Sequence, residues 1–287
     1  MANIELAEKY LPYVDEEFST ESKISLLTNQ DFNFNGANTV DVYIVSTGAM
    51  NDYGRHKTGE NTQYVSRYGN IEDLNATTQS FQLTKDRSFT FVIDKLDEDE
   101  TAGNLQAASA LARQIRQVVI PEVDTHVLGK ICEKAGNKEI LAADYDIYQK
   151  IFEANKLLDD AEAPETDRVI VVTPETLFRM KTAKDANGRY QEIVNTVIDS
   201  KLKALGVVGE LDGSYVLKVP TGRLPKNFGF AVVHPCATCA PQKLQSYKVH
   251  EDPPGISGAL VEGRICYDAF VLQNKAKAIA VYSTAEG

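Results

Sequence analysis

Tryptophan is absent from the 287 residues, and only three methionines and four cysteines occur. Four cysteines in a chain this long do not make a disulfide framework, so cytosolic synthesis is the default. A surplus of basic charge is missing too: Lys and Arg total 30 against 41 Asp and Glu, for a formal net charge of −11. That balance argues against a reader of DNA, whose affinity rests on cations neutralising phosphates. A container holding nucleic acid is compatible with it, since confinement needs no attractive wall. No apolar run approaches the roughly 20 residues of a membrane helix. The opening MANIELAEKYLPYVDEEF is acidic and amphipathic, unlike a signal peptide.

The common catalytic fingerprints are missing as well. There is no G-x-x-x-x-G-K-[ST], G-x-G-x-x-G, G-x-S-x-G or H-E-x-x-H. Histidines stand at 56, 126, 234 and 250, with no helical i, i+4 pair among them. The acids at 97–100 read as a helix start, where the dipole favours anions, and Asp159-Asp160 as a solvated helix end. The most chemical-looking stretch is His234-Pro-Cys-Ala-Thr-Cys-Ala-Pro241. Its P-C-x-x-C is half of the zinc deaminase signature, but no upstream H-x-E exists. A haem attachment needs His after the second Cys, where Ala240 stands. Structural zinc wants four ligands; only His234 is near along the chain, and His250 or Cys266 could join only through folding. The stretch therefore reads as a helix start, with Cys236 and Cys239 on one face as small apolar fillers.

What is present is an ordinary globular composition, 43% hydrophobic and 25% charged, with 13 Tyr and 11 Phe. Residues 3–12 predict a short helix, and the polar segment to Gly36 reads as an arm that must lie on something else. TVDVYIV (39–45) alternates as a half-buried strand, with Val40, Val42 and Ile44 on one face. A long polar stretch follows, and strand signals resume at Phe81, Leu83, Phe89, Phe91 and Ile93. Such an extended hairpin has no core beneath its tip, and a connection so long usually has a task; lying on a neighbouring subunit is the economical one. Helical spacing runs from Ala102 to Val119 and resumes from Val123 to Ile131, with Pro121 predicted to kink or break it and Gly136 to stop it. Helices are expected over 144–161, after Thr173-Pro174, and over 190–206; strands over 168–172, 214–220, 228–233, 244–249, 263–272 and 278–282. The class is α+β.

In that order, NDYGR (51–55), RYG (67–69), LTKDRSFTFVIDK (83–95), ARQIRQVVIPEVDTHVLGKICEKAG (112–136) and GRICYDAFVLQNKAKAIAVY (263–282) resemble the major capsid proteins of tailed bacteriophages, with the Hong Kong 97-type fold. The resemblance covers nearly the whole chain. It implies an N-terminal arm at 1–36, an extended β-hairpin loop at 37–94 and a long spine helix with the first part of a peripheral domain at 95–140. It further implies an axial domain at 141–240 and the returning peripheral strands at 241–287. The implied function is self-assembly through pentamers and hexamers into an icosahedral shell enclosing phage double-stranded DNA, with no enzymatic activity and no cofactor. The implied partners are further copies of the chain, a scaffolding protein, a portal and a decoration protein; DNA is enclosed without sequence-specific binding, and no membrane is involved. The place is the virion, after assembly in the host bacterial cytoplasm. Met1 leads straight into the arm-like helix, so a separate scaffold, or none, with little cleavage of this chain, is expected. A Lys–Asn cross-link found in some relatives would use Lys57 or Lys85 with Asn274. Contacts between subunits are expected from the loop residues Asp52, Tyr53, Arg55, Lys57, Glu60, Tyr64, Arg67 and Tyr68. Two alternatives stay open: an encapsulin-like nanocompartment shell, and a thiol or zinc enzyme built on Cys236 and Cys239.

Overall fold

The computed structural model describes residues 22–29, 39–45, 47–53, 68, 73, 75–96, 107–142, 144–184 and 199–284. The helix expected over 3–12, the acidic helix start at 97–100 and most of the helix expected over 190–206 lie outside the described residues. Two compact units divide the chain: one is residues 36–82, the other the remainder.

The main unit is organised on a six-stranded sheet. Its strands are β4 (Asn137–Leu141), β5 (Val169–Val172), β6 (Val207–Leu211), β7 (Ser214–Lys218), β8 (Phe228–Val233) and β13 (Ile279–Thr284), ordered β4-β13-β8-β5-β7-β6. β13 runs parallel to β4 and antiparallel to β8, and β5 runs parallel to β7. Both faces are covered, which is why VIVV, FAVV and IAVY read as continuous apolar runs without alternation. Val169, Val171, Ala231, Val233, Ile279 and Val281 belong to one core. Their neighbours Ile170, Val172, Phe230, Val232, Ala280 and Tyr282 belong to the other. On the second face the Phe230 and Tyr282 rings stack with centroids 4.5 Å apart.

The first core is closed by one continuous helical rod. It consists of α1 (Ala107–Gln114), a π-helical turn (Ile115–Val119) and α2 (Ile120–Lys134). Leu111, Ile115, Val119, Ile120, Val123, Val127, Leu128 and Ile131 are its buried stripe. Pro121 neither breaks the rod nor ends it, contrary to one of the two sequence expectations. A proline in mid-helix lacks an N–H and crowds the carbonyl four residues back. Here the turn ahead of it is widened, Ile120 N–H donating to Ile115 O five residues back, a known way to absorb a helix defect. Gly136 lies just past the helix end as expected, but for a different reason. A Cβ there would stand 2.6 Å from the backbone carbon of Ala276, so close approach, not a left-handed conformation, demands glycine.

The second core is covered by α3 (Ile147–Asp160) and α4 (Pro174–Thr182). Asp146 caps α3, accepting from the N–H groups of Tyr148 and Gln149. Thr173 caps α4 by accepting from Thr176 N–H, with Pro174 in the first turn, as the Thr-Pro pair predicts. The short α5 (Ser200–Ala204) ends at Gly206, whose φ is +95°. Asp212-Gly213 makes the tight β6–β7 turn with φ of 52° and 70°, the pair that a type I′ hairpin selects.

A second sheet, ordered β10-β11-β3, joins β3 (Lys85–Asp94), β10 (Gln242–Glu251) and β11 (Gly258–Tyr267). One face is apolar toward the first core. Phe89 of β3 and Tyr247 of β10 both stand opposite Gly263 and stack across it, 6.0 Å between centroids. A Cβ at 263 would meet the Phe89 ring at 2.4 Å. The other face is polar, and Arg264 grips Asp86 there with two bonds, Nε–Oδ1 at 2.9 Å and Nη2–Oδ2 at 2.6 Å. The sequence groups the strand signal at 85–94 with the extended loop; its ladder, however, is with β11 in the main unit.

Candidate functional site

The smaller unit is a long antiparallel pair, β1 (Thr39–Val45) with β2 (Ala76–Gln82), register Thr39↔Gln82 to Val45↔Ala76. Thr39, Asp41 and Tyr43 are exposed while Val40, Val42 and Ile44 are half-buried, as the alternation predicted. Asp41 accepts a bond from the Ser80 hydroxyl across the pair. Residues 47–53, on the connection between the strands, are all exposed, Met50 fully. Of the expected contact residues, Asp52, Tyr53 and Tyr68 are described, and Arg55, Lys57, Glu60, Tyr64 and Arg67 lie outside the described residues. Tyr53 and Tyr68 come together edge to face with centroids 5.0 Å apart. Fifteen positions separate them in sequence, so this ring pair joins two distant points of the connection. Both rings remain half or more exposed. Tyr43 and Met50 are likewise large exposed side chains of this unit.

Where the smaller unit ends at Gln82, the next residues are firmly held in the main unit. Thr84 donates both its N–H and its hydroxyl to Asp268 Oδ2, at 2.9 and 2.6 Å. Asp268 Oδ1 accepts from Ala269 N–H at 2.8 Å and lies 2.8 Å from His126 Nε2 on α2. Burial alone would raise this carboxyl, yet the bonds from His126, Thr84 and Ala269 outweigh it and hold the group below its ordinary value. The sign follows: Asp268 stabilises the fold above the unfolded carboxyl value, and the contribution disappears only as pH falls through the lower folded value. The His126 ring also meets Tyr267 edge to face at 5.6 Å. Nothing in the sequence flags Asp268 or Thr84; the two are separated by 184 positions.

A corresponding clasp holds residues 22 and 23. Asp124 of α2, fully buried, accepts from Ser22 Oγ at 2.9 Å, Lys23 N–H at 3.1 Å and Arg223 Nη1 at 2.8 Å. Burial dominates its titration and raises the carboxyl, despite the opposing bonds from Lys23, Ser22 and Arg223. Lys23 Nζ extends to Leu205 O at 3.2 Å. Beyond the clasp, Ile24 and Leu27 enter the first core. By composition this stretch is too polar for a core of its own; two side chains suffice because the core belongs to the main unit. Replacing Leu27, 0% exposed, by Ala should cost about 2–5 kcal/mol. Urea unfolding of the two proteins side by side checks it, and a loss below about 0.5 kcal/mol would mean that the segment is not seated there.

The Cys-x-x-Cys stretch turns out to be the seat of that same segment. Pro235–Ala237 is a single 3₁₀ turn, not the start of a longer helix. Cys239 instead belongs to β9 (Thr238–Cys239), which pairs with β12 (Phe270–Val271). The two cysteines therefore do not share a helix face, because the chain extends between them. His234 Nδ1 caps the turn by accepting Cys236 N–H at 3.1 Å. His250, a distant zinc candidate, faces Glu262 at 3.3 Å on the second sheet. Asn29 donates its amide to Cys236 O and its backbone N–H to Thr238 O, and the Thr238 hydroxyl donates to Leu27 O. Among the described residues, no group of three or more His, Cys, Asp or Glu is placed to hold a metal.

No family model and no curated protein matches the sequence. The fold does match solved structures over most of the chain. A chain of Mycobacterium phage Che8 is similar at a TM-score of 0.61 and 19% identity, covering 91% of this chain and 90% of that one. The capsid structure of the cyanophage P-SCSP1u matches at 0.62 and 15%, over 91% and 87%. The crystal structure of a virus-like particle from Pyrococcus furiosus matches at 0.58 and 12%, over 97% and 100%. The fold is thus that of a shell-forming capsid subunit. Among such subunits it is the Hong Kong 97-type fold of the tailed-phage major capsid proteins.

Proposed function

We propose that the chain is the major capsid protein of a tailed phage, assembling through pentamers and hexamers into an icosahedral shell that encloses double-stranded DNA. The observation that carries this reading is the capsid fold itself, extending over 91% of the chain in the phage matches. In this assignment residues 1–36 act as the arm and 37–94 as the extended loop. Residues 95–140 supply the spine helix and the start of the peripheral domain, 141–240 the axial domain, and 241–287 the return of the peripheral strands. Asp52, Tyr53, Arg55, Lys57, Glu60, Tyr64, Arg67 and Tyr68 make contacts between subunits. Two features support that role for the hairpin: it is a unit of its own, and its exposed Tyr43, Met50, Tyr53 and Tyr68 are large side chains directed to solvent. Each contact is weak, and closure of a symmetric shell adds them together. The net charge of −11 suits a wall that confines DNA without binding it. The protein acts as a structural subunit without cofactor or catalytic residue, alongside a scaffolding protein, a portal and a decoration protein, in the virion after assembly in the bacterial cytoplasm.

A second reading, an encapsulin-like shell enclosing proteins instead of DNA, is favoured by one observation, the match over all of the Pyrococcus furiosus virus-like particle chain. Negative-stain microscopy of the purified protein is the test of both. Uniform hollow particles are expected. Dispersed monomers at every concentration, even with the genome neighbours co-expressed, would overturn both readings. Nuclease-protected DNA inside particles from producing cells separates the first from the second.

A further inference from the structure

We propose that Asp268 is a positioning residue for the hairpin: it fixes the point at which the hairpin's second strand returns into the main unit, with Thr84 as its grip and His126 as its backing. The proposal rests on the reading of the hairpin as an assembly element. Thr84 is two residues past the end of the smaller unit and one before the β3–β11 ladder begins at Lys85↔Tyr267. Its N–H falls between β2 and β3, outside the ladder of either, and the acceptor it finds is a side chain of the main unit. Asp268, 3% exposed, supplies it, and the same oxygen takes the Thr84 hydroxyl.

The other oxygen shows why a carboxylate is specified. Thr84 N–H and hydroxyl on one oxygen and Ala269 N–H on the other are all donors, and the His126 nitrogen completes the set. An amide at 268 would turn its NH₂ against donors on one side or the other. His126 lies in α2, which is packed into the first core along its whole buried stripe. The grip on Thr84 is therefore referred to a helix that is packed into the first core.

The test uses the full chain carrying Asp268→Asn, Thr84→Val or Thr84→Ser. Hydrogen exchange should quicken by about tenfold or more at the amides of 83–86 in the first two variants. Thr84→Ser, which keeps the hydroxyl, should restore the wild-type rate. The amides of β5 should exchange as in the wild type in all three. In microscopy the first two variants should give particles of mixed size or open sheets. Unchanged exchange at 83–86, or an equal rise in β5, would overturn the proposal, the second outcome marking Asp268 as a general core residue. If the wild type forms no particles the functional reading fails instead, while the exchange rates still decide whether Asp268 holds the hairpin root.

Discussion

Deletion of residues 52–66 should give a soluble protein with wild-type thermal stability that no longer forms shells. The stretch joins β1 to β2 outside the paired strands, and its described residues Asp52 and Tyr53 are both exposed. Neither of these two described residues belongs to a core cluster. Removing exposed residues distant from caps and cores typically shifts stability within about 0.5 kcal/mol. Assembly is another matter. A closed shell repeats the same interactions at every subunit, so a deletion in the chain weakens all of them at once, and avidity collapses. Circular dichroism melts alongside electron micrographs of the deletion and wild type decide the case. Normal shells would remove the hairpin tip from its proposed role, and a large fall in Tm would show that it belongs to the fold. Tyr53→Ala alone, which opens the ring pair with Tyr68, should slow assembly without abolishing it.

Asp124→Ala should produce the largest loss of stability from a single side chain, about 3–5 kcal/mol, with a fall in Tm on the order of 10 °C. The carboxylate is the common acceptor of Ser22, Lys23 and Arg223. Its removal leaves a guanidinium that is largely buried facing no counter-charge, and takes away the acceptor of the Ser22 hydroxyl and the Lys23 N–H. Asp124→Asn keeps the shape and should cost less. It also isolates the titration. Because burial raises the folded carboxyl above 3.8, the folded state takes up a proton more readily than the unfolded chain in the window just above that value. Stability contributed by this group therefore grows as pH falls through the folded value toward 3.8 and is lost as pH rises through it. Urea titrations of wild type and Asp124→Asn from neutral pH downward should show the gap widening in favour of wild type in that window. A gap that narrows would reverse the assigned direction. Asp268, held low by its donors, should show the opposite trend, weakening the fold only in stronger acid.

Much of the architecture is legible because it is written in local chemistry. Thr173-Pro174 announces a helix start, since one hydroxyl reaches an N–H three residues on. The alternation at 39–45 announces a strand with one face half-buried, and the run VIVV a buried strand. Gly206 marks a helix end that needs positive φ. Two local features that mislead show the limit of the same logic. Pro121 stays inside the rod, with a π turn widening the helix ahead of it. His234–Cys239 makes one turn and then extends, because β12 and Asn29 compete for its backbone.

Spacing and order along the chain are enough to establish most elements, the resemblance to phage capsid proteins and the lack of a complete catalytic template. Those are properties of stretches within about twenty residues, where helix and strand periods and capping bonds operate. Folding alone settles which strands pair, that β3 joins β11, that Ile24 and Leu27 are core, and which donors surround Asp124 and Asp268. The bonds from Lys23 to Asp124 and from Thr84 to Asp268 join residues 101 and 184 positions apart. An aspartate reads as surface in any sequence, since burying its charge is costly unless donors surround it, and donors that far along the chain arrive only when the chain has folded.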